Sequence, residues 1–149
     1  MVKNNPTEFK IEKYFVDQVK AYGGEVRKVQ WVGRRHAPDR LALFPPIGDK
    51  AGFNFFVELK RPGELLRPGQ AREGQFLHDC RVPLWPPVYS KETVDALFTK
   101  LRESNFIYSK EEVAVHTEEK RKRMLAALEE QMEYEQQLAA GAVADNDAA

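Results

Sequence analysis

The sequence predicts an α/β fold: helix, three strands, helix, short strand, helix, followed by a charged helical tail. Three observations carry that prediction. Apolar residues recur at three- and four-residue spacing in stretches 7–22, 67–80 and 90–102, the period of a helix with one buried face. Between these lie short runs rich in Val, Phe and Leu that alternate with polar residues, as on a half-buried strand. The length of 149 residues suits one domain with its own core and an appendage, and is too short for two.

Taken in order, Thr7 caps a helix to about Tyr22, and Gly23-Gly24 ends it because glycine accepts the left-handed turn. Glu12 stands in line with Phe15, Val16 and Val19, which places a carboxylate on the inward stripe or at its edge. Glu25–Val32 reads as a strand through Val26, Val29, Trp31 and Val32, and the turn Gly33-Arg34-Arg35-His36 breaks it. Arg40–Phe44 is a second strand closed by Pro45-Pro46, and Phe53–Lys60 a third. On the third strand Phe53, Phe55, Val57 and Leu59 face one way, while Glu58 and Lys60 share the other.

Arg67 to Cys80 suits a second helix with Pro68 near its start, and Gln70 shares a face with Leu77. Val82–Tyr89 is apolar but holds Pro83, Pro86 and Pro87, so a strand there is short or at an edge. Ser90 caps a third helix to about Arg102, with Val94, Leu97, Phe98 and Leu101 on one side. Beyond Tyr108 the composition shifts. Residues 118–138 read as a helix with a thin stripe of Leu125, Leu128, Met132 and Leu138, and the small, acidic residues 141–149 are expected to be disordered. The domain boundary is expected at 108/109.

The formal net charge of zero hides a split. Residues 1–108 hold 18 Lys and Arg against 13 Asp and Glu, and residues 109–149 hold 5 against 10. A moderately basic globular part followed by an acidic tail is compatible with a polyanionic partner for the former, although a surplus of five is also what an ordinary surface carries. The single cysteine, Cys80, excludes an internal disulfide framework. No run approaches the ~20 apolar residues of a membrane span, so an intracellular, cytoplasmic protein is expected. His36, His78 and His116 lie in no zinc-ligand spacing.

The acids fall at telling places. Asp39 opens the second strand after Pro38, and Glu58 and Lys60 sit near the end of the third. If the strands are neighbours, Asp39 and Glu58 converge on a point where oxygen ligands suit Mg2+, with Lys60 beside it to hold a phosphate or orient a water. Alone, a strand ending in Glu-Leu-Lys is common and uninformative.

Together these residues resemble the PD-(D/E)XK nuclease superfamily and, more narrowly, the virus-type replication-repair nuclease domain, VRR-NUC. The resemblance rests on Ile11-Glu12, Gly23-Gly24 with Lys28, the string Gly33 to Arg40, the string Phe56 to Gly63, Arg67-Pro68 with Gln70, and Ser90-Lys91-Glu92 with Val94 to Leu97. It covers about residues 7–101. It implies a mixed central sheet flanked by helices and hydrolysis of phosphodiester bonds with Mg2+, for which Mn2+ substitutes. Asp39 and Glu58 match the metal-binding acids, with the Leu59 carbonyl as a further ligand. Lys60 matches the catalytic lysine, Glu12 the helical acid and further metal ligand, and Gln70 the glutamine of the following helix. Stand-alone members of this family imply a homodimer acting on branched DNA such as Holliday junctions. Lys28, Arg34, Arg35, Arg61 and Arg67 are the residues expected to contact DNA phosphates. The chain departs from the pattern at His36-Ala37 and at the proline-rich Pro83–Val88. A flap or restriction-type nuclease, or an idle DNA-binding module of the same fold, are the competing readings.

Overall fold

The computed structural model describes residues 6–147. Eight elements follow one another: α1 (Pro6–Ala21), β1 (Glu25–Lys28), β2 (Arg40–Phe44), β3 (Phe53–Leu59), α2 (Pro68–Asp79), β4 (Leu84–Val88), α3 (Lys91–Glu103) and α4 (Lys110–Asp147). The four strands form one mixed sheet in the order β1-β2-β3-β4, antiparallel except for the parallel pair β3–β4. A parallel neighbour needs a crossover, and α2 supplies it.

Alternation along β2 and β3 sorts the sheet into two faces. Ala42, Phe44, Phe55, Val57 and Leu59 turn to one side and meet Phe15, Val19 and Tyr22 of α1 and its C-terminal turn, with Val94, Leu97, Phe98 and Leu101 of α3. Burying apolar side chains contributes roughly 1.5–3 kcal/mol each, and the rings here stack as well: Tyr22 on Phe98 at 4.7 Å and Phe44 on Phe53 at 5.0 Å. The opposite face carries Phe56 and Glu58, the side on which α2 lies.

Several boundaries differ from the sequence expectation. Pro6 already lies in α1, so Thr7 is inside the helix and not its cap, while the residue before Pro6 lies outside the described residues. Gly23 closes α1 with φ of 88° as expected. The strand expected over Glu25–Val32 stops at Lys28. Its continuation leaves the sheet because Trp31 turns edge-on to Phe56 at 6.0 Å and donates a hydrogen bond to Glu73 at 3.0 Å, while Val32 is left in solvent. The last strand, expected to be short or at an edge, is five residues long and lies at the sheet edge, with Pro86 and Pro87 in a bulge of its ladder to β3, so that the missing N–H groups cost no ladder bond.

Two compact units are present, residues 1–113 and 114–149. The first ends five residues beyond the expected boundary, and Val113, past that boundary, is buried in it. In the second, α4 runs through Gly141 to Asp147, in contrast to the disorder expected over 141–149; alanines at 139, 140, 142 and 144, the strongest helix formers, favour it, and residues 148–149 lie outside the described residues.

Candidate active site

The site begins with a break in a strand. Asp39, the residue before β2, accepts a hydrogen bond on Oδ2 from the backbone N–H of Leu59 at 2.8 Å, which ties it to the end of β3. There Glu58 and Lys60 are both buried, at 7% and 5% exposure. Two such charges so deep in a small domain require partners. Asp39 and Glu58 lie within reach of each other, and Glu58 is pushed up to about 8 by burial first, then by the hydrogen bond and like charge of Asp39, with Lys60 pulling the other way. Two carboxylates that cannot both ionise alone are a donor set suited to a cation.

Gln70 completes the cluster. Its Nε2 donates to Glu58 Oε1 at 3.1 Å and its Oε1 accepts from Lys60 Nζ at 2.9 Å. The same Oε1 accepts from the Arg67 backbone N–H at 2.9 Å, a bond across the first turn of α2, whose entry Pro68 presets. Lys60 Nζ also lies 3.6 Å from Glu64. No buried side-chain polar atom among the described residues is without a partner.

Glu12 stands apart from this cluster. Its carboxylate is held by the guanidinium of Arg40, whose Nε lies 3.1 Å away and whose Nη1 donates to the Asp39 carbonyl at 2.8 Å. Arg40 points to the α1 face of the sheet, in register with Val57, whereas Glu58 points to the other. Among the described residues no group of three or more His, Cys, Asp and Glu is placed to hold a metal. The carboxylates brought together at this centre are those of Asp39 and Glu58, next to the Leu59 carbonyl in the chain, a donor set that fits Mg2+, a cation that keeps several waters and takes one or two carboxylates plus phosphate oxygens.

Of the basic residues, Arg34 pairs with the buried Glu73 at 2.8 Å and Arg61 with Glu8 at 3.1 Å. The Arg34 hydrogen bond holds Glu73 below the usual carboxylate range. Lys28 lies on β1, and Arg67 caps α2 beside the site. A shallow cleft of about 370 Å3 is lined by Arg34, Arg35, His36, Gly69, Arg72 and Glu73. A second, more apolar cleft of about 300 Å3 runs beside Glu58 and Gln70, walled by Leu66, Trp85, Pro86 and Pro87.

Sequence reasoning missed Glu73, Arg72 and the role of Arg40. Glu73 carried a signal, since it lies one turn beyond Gln70 on the same helix. Arg40 carried none, because its partner comes from α1. The departure at His36 is explained: it adopts φ of 69° and its imidazole rests against Gly69 so closely that a Cβ there would overlap the ring.

No model of a known protein family matches the chain. A protein named "Putative nuclease p44", of Acyrthosiphon pisum secondary endosymbiont phage 1, is 44% identical over 66 residues, covering 44% of this chain and 66% of that protein, slightly under two thirds of its length. A solved structure described as "VRR_NUC domain" is similar at 31% identity with a TM-score of 0.57, covering 64% of this chain and 97% of that one. Nearly all of that domain is thus found within this chain, with the same fold and close to a third of its residues. The chain belongs to the VRR_NUC domain family.

Proposed function

We propose that the protein is a metal-dependent nuclease that hydrolyses phosphodiester bonds in DNA, with Asp39 and Glu58 as the metal-binding acids. The observation that carries this reading is the Asp39–Glu58 carboxylate pair with Gln70 joining Glu58 to Lys60. Family membership and the nuclease name of the phage relative support it.

Mg2+, or Mn2+ in its place, would be held by Asp39, Glu58 and the Leu59 carbonyl, and when bound supplies charge neutralisation at the phosphate. The remaining work falls to the chain. Lys60 sets its amine group beside that point; Gln70 takes one of its donors and Glu64 lies 3.6 Å away on the more exposed side, so a phosphate oxygen or an attacking water would share Lys60 with Glu64. Gln70 fixes both Glu58 and Lys60, so their spacing does not depend on substrate. Glu12 acts at one remove, by holding Arg40 against the Asp39 carbonyl.

The substrate is proposed to be branched DNA such as a four-way junction, cut by a homodimer. Arg35 and Arg72, beside the Arg34–Glu73 pair, give the cleft its basic lining, and contacts of that kind read backbone shape and charge with little sequence preference. The test is a panel of labelled junctions, flaps, duplexes and single strands, each with Mg2+, Mn2+ or chelator. Cleavage that needs the cation and falls by about 10²-fold or more in Asp39→Asn and Glu58→Gln is expected. Chelator-resistant cleavage, or unimpaired Asp39→Asn, overturns the assignment, and preferred cutting of flaps or duplex replaces the junction with another DNA form.

A further inference from the structure

The helix α4 (Lys110–Asp147) is exposed at every residue from 117 to 146. Yet it carries large apolar side chains: Met124, Leu125, Leu128 and Met132 are each 46–59% exposed. They lie three or four residues apart, on one face. Seven residues are two turns, so Arg121 and Glu135 fall on that same face, one on each side of Leu128. The face reads Arg121, Met124, Leu128, Met132, Glu135.

That order is self-complementary when reversed. We propose that α4 is a self-association element, pairing antiparallel with α4 of a second copy of this chain, with Leu128 at the two-fold axis. In that register Leu128 meets Leu128, Met124 meets Met132, and Arg121 meets Glu135 of the second copy; Arg123 stands opposite Glu133 at the flank. Two-fold symmetry makes every pair occur twice except Leu128–Leu128, which lies on the axis. A parallel pair in register instead sets Arg121 against Arg121 and Glu135 against Glu135, like charges on the seam. Within its own helix Arg121 is bonded to Glu118 and Glu135 to Gln131, but exposed bonds of this kind contribute little and do not compete strongly. A nucleic acid would find charge complementarity only at the start of the stripe, Lys120 to Arg123, because residues 124–147 carry six acids and no Lys or Arg. This inference stands whether or not the chain cuts DNA, and it names the contact for the two-copy assembly.

The test uses the full chain with Cys80→Ser, which removes the one native thiol. In an antiparallel pair two copies of residue 124 lie about 12 Å apart along the axis, beyond the roughly 7 Å that a disulfide spans. Met124→Cys alone should therefore give little cross-linked dimer under mild oxidation, and a mixture of Met124→Cys with Met132→Cys should give abundant dimer, as should Leu128→Cys with itself. In sedimentation, R121E should weaken the dimer about tenfold and R121E/E135R should restore it. Efficient self-cross-linking of Met124→Cys overturns the antiparallel arrangement. A monomer at tens of micromolar with no cross-link in any combination overturns the pairing itself.

Discussion

At the scale of single residues, the pair Asp39–Glu58 decides how the molecule responds to protons and cations. Glu58 is raised from 4.5 to about 8 in the folded chain, so the fold holds its proton after the unfolded chain has released it. The sign follows: the metal-free protein loses stability as pH rises from about 4.5 towards 8, and is flat beyond. Thermal melts in chelator across that window should show the decline, and Glu58→Gln, which cannot ionise, should flatten it. A cation takes the proton's place, so the gain in melting temperature on adding Mg2+ should be greater at pH 8 than at pH 6 and vanish in Asp39→Asn. Gln70 is the other residue with a sharp expectation. Gln70→Ala removes the amide that joins Glu58 to Lys60 and leaves Glu58 with Asp39 and Lys60 with the more exposed Glu64, at a cost of about 0.5–1.5 kcal/mol per lost bond in denaturant unfolding. Gln70→Glu restores a partner for Lys60 but adds a third carboxylate, and should make tight cation binding rise further with pH in calorimetric titration.

Among the elements, those with a local cause were legible in the sequence and those with a distant cause were not. Ser90 as the cap of α3, Gly23 as the stop of α1 and the shared face of Glu58 and Lys60 each follow from residues within four positions of one another. The early end of β1 follows from Trp31 finding Glu73, 42 residues away, and no window along the chain contains both. The same holds for the site: Glu58 and Lys60 declare themselves by alternation, whereas the diversion of Glu12 to Arg40 spans 28 positions and appears only when α1 is laid on β2. The junction of α2 with the loop before β2 yields a prediction at this scale. Gly69→Ala must push the exposed His36 imidazole aside, a displacement that should change stability by no more than about 0.5 kcal/mol. If the loop carrying Arg34 and Arg35 contacts DNA, the same change should weaken DNA binding measured by anisotropy in chelator while leaving Asp39 and Glu58 in place.

For the whole molecule, the limit of the folded unit at Val113 and the exposure of the following helix set the expectations. Stopping the chain after Tyr108 removes the buried Val113, which packs beside Gly23, and should lower stability by about 1.5–3 kcal/mol. A stop at residue 117 keeps it and should melt within a few degrees of the full chain. No helix among the described residues is long and apolar enough to cross a membrane.

The edge of the sheet has one more effect. Between Val57–Trp85 and Leu59–Val88 two steps on β3 are matched by three on β4, so the ladder is bulged where Pro86 and Pro87 stand. Neither proline offers an N–H to a further strand, and a bulged border is a poor template. At the far border β1 is four residues long and bears Glu25, Arg27 and Lys28. Both borders thus refuse an incoming strand, and the sheet is guarded against the edge-to-edge stacking that starts aggregates. Concentrated protein should accordingly stay free of thioflavin-positive fibrils, and replacing Pro86 and Pro87 with valine should be the change that admits them.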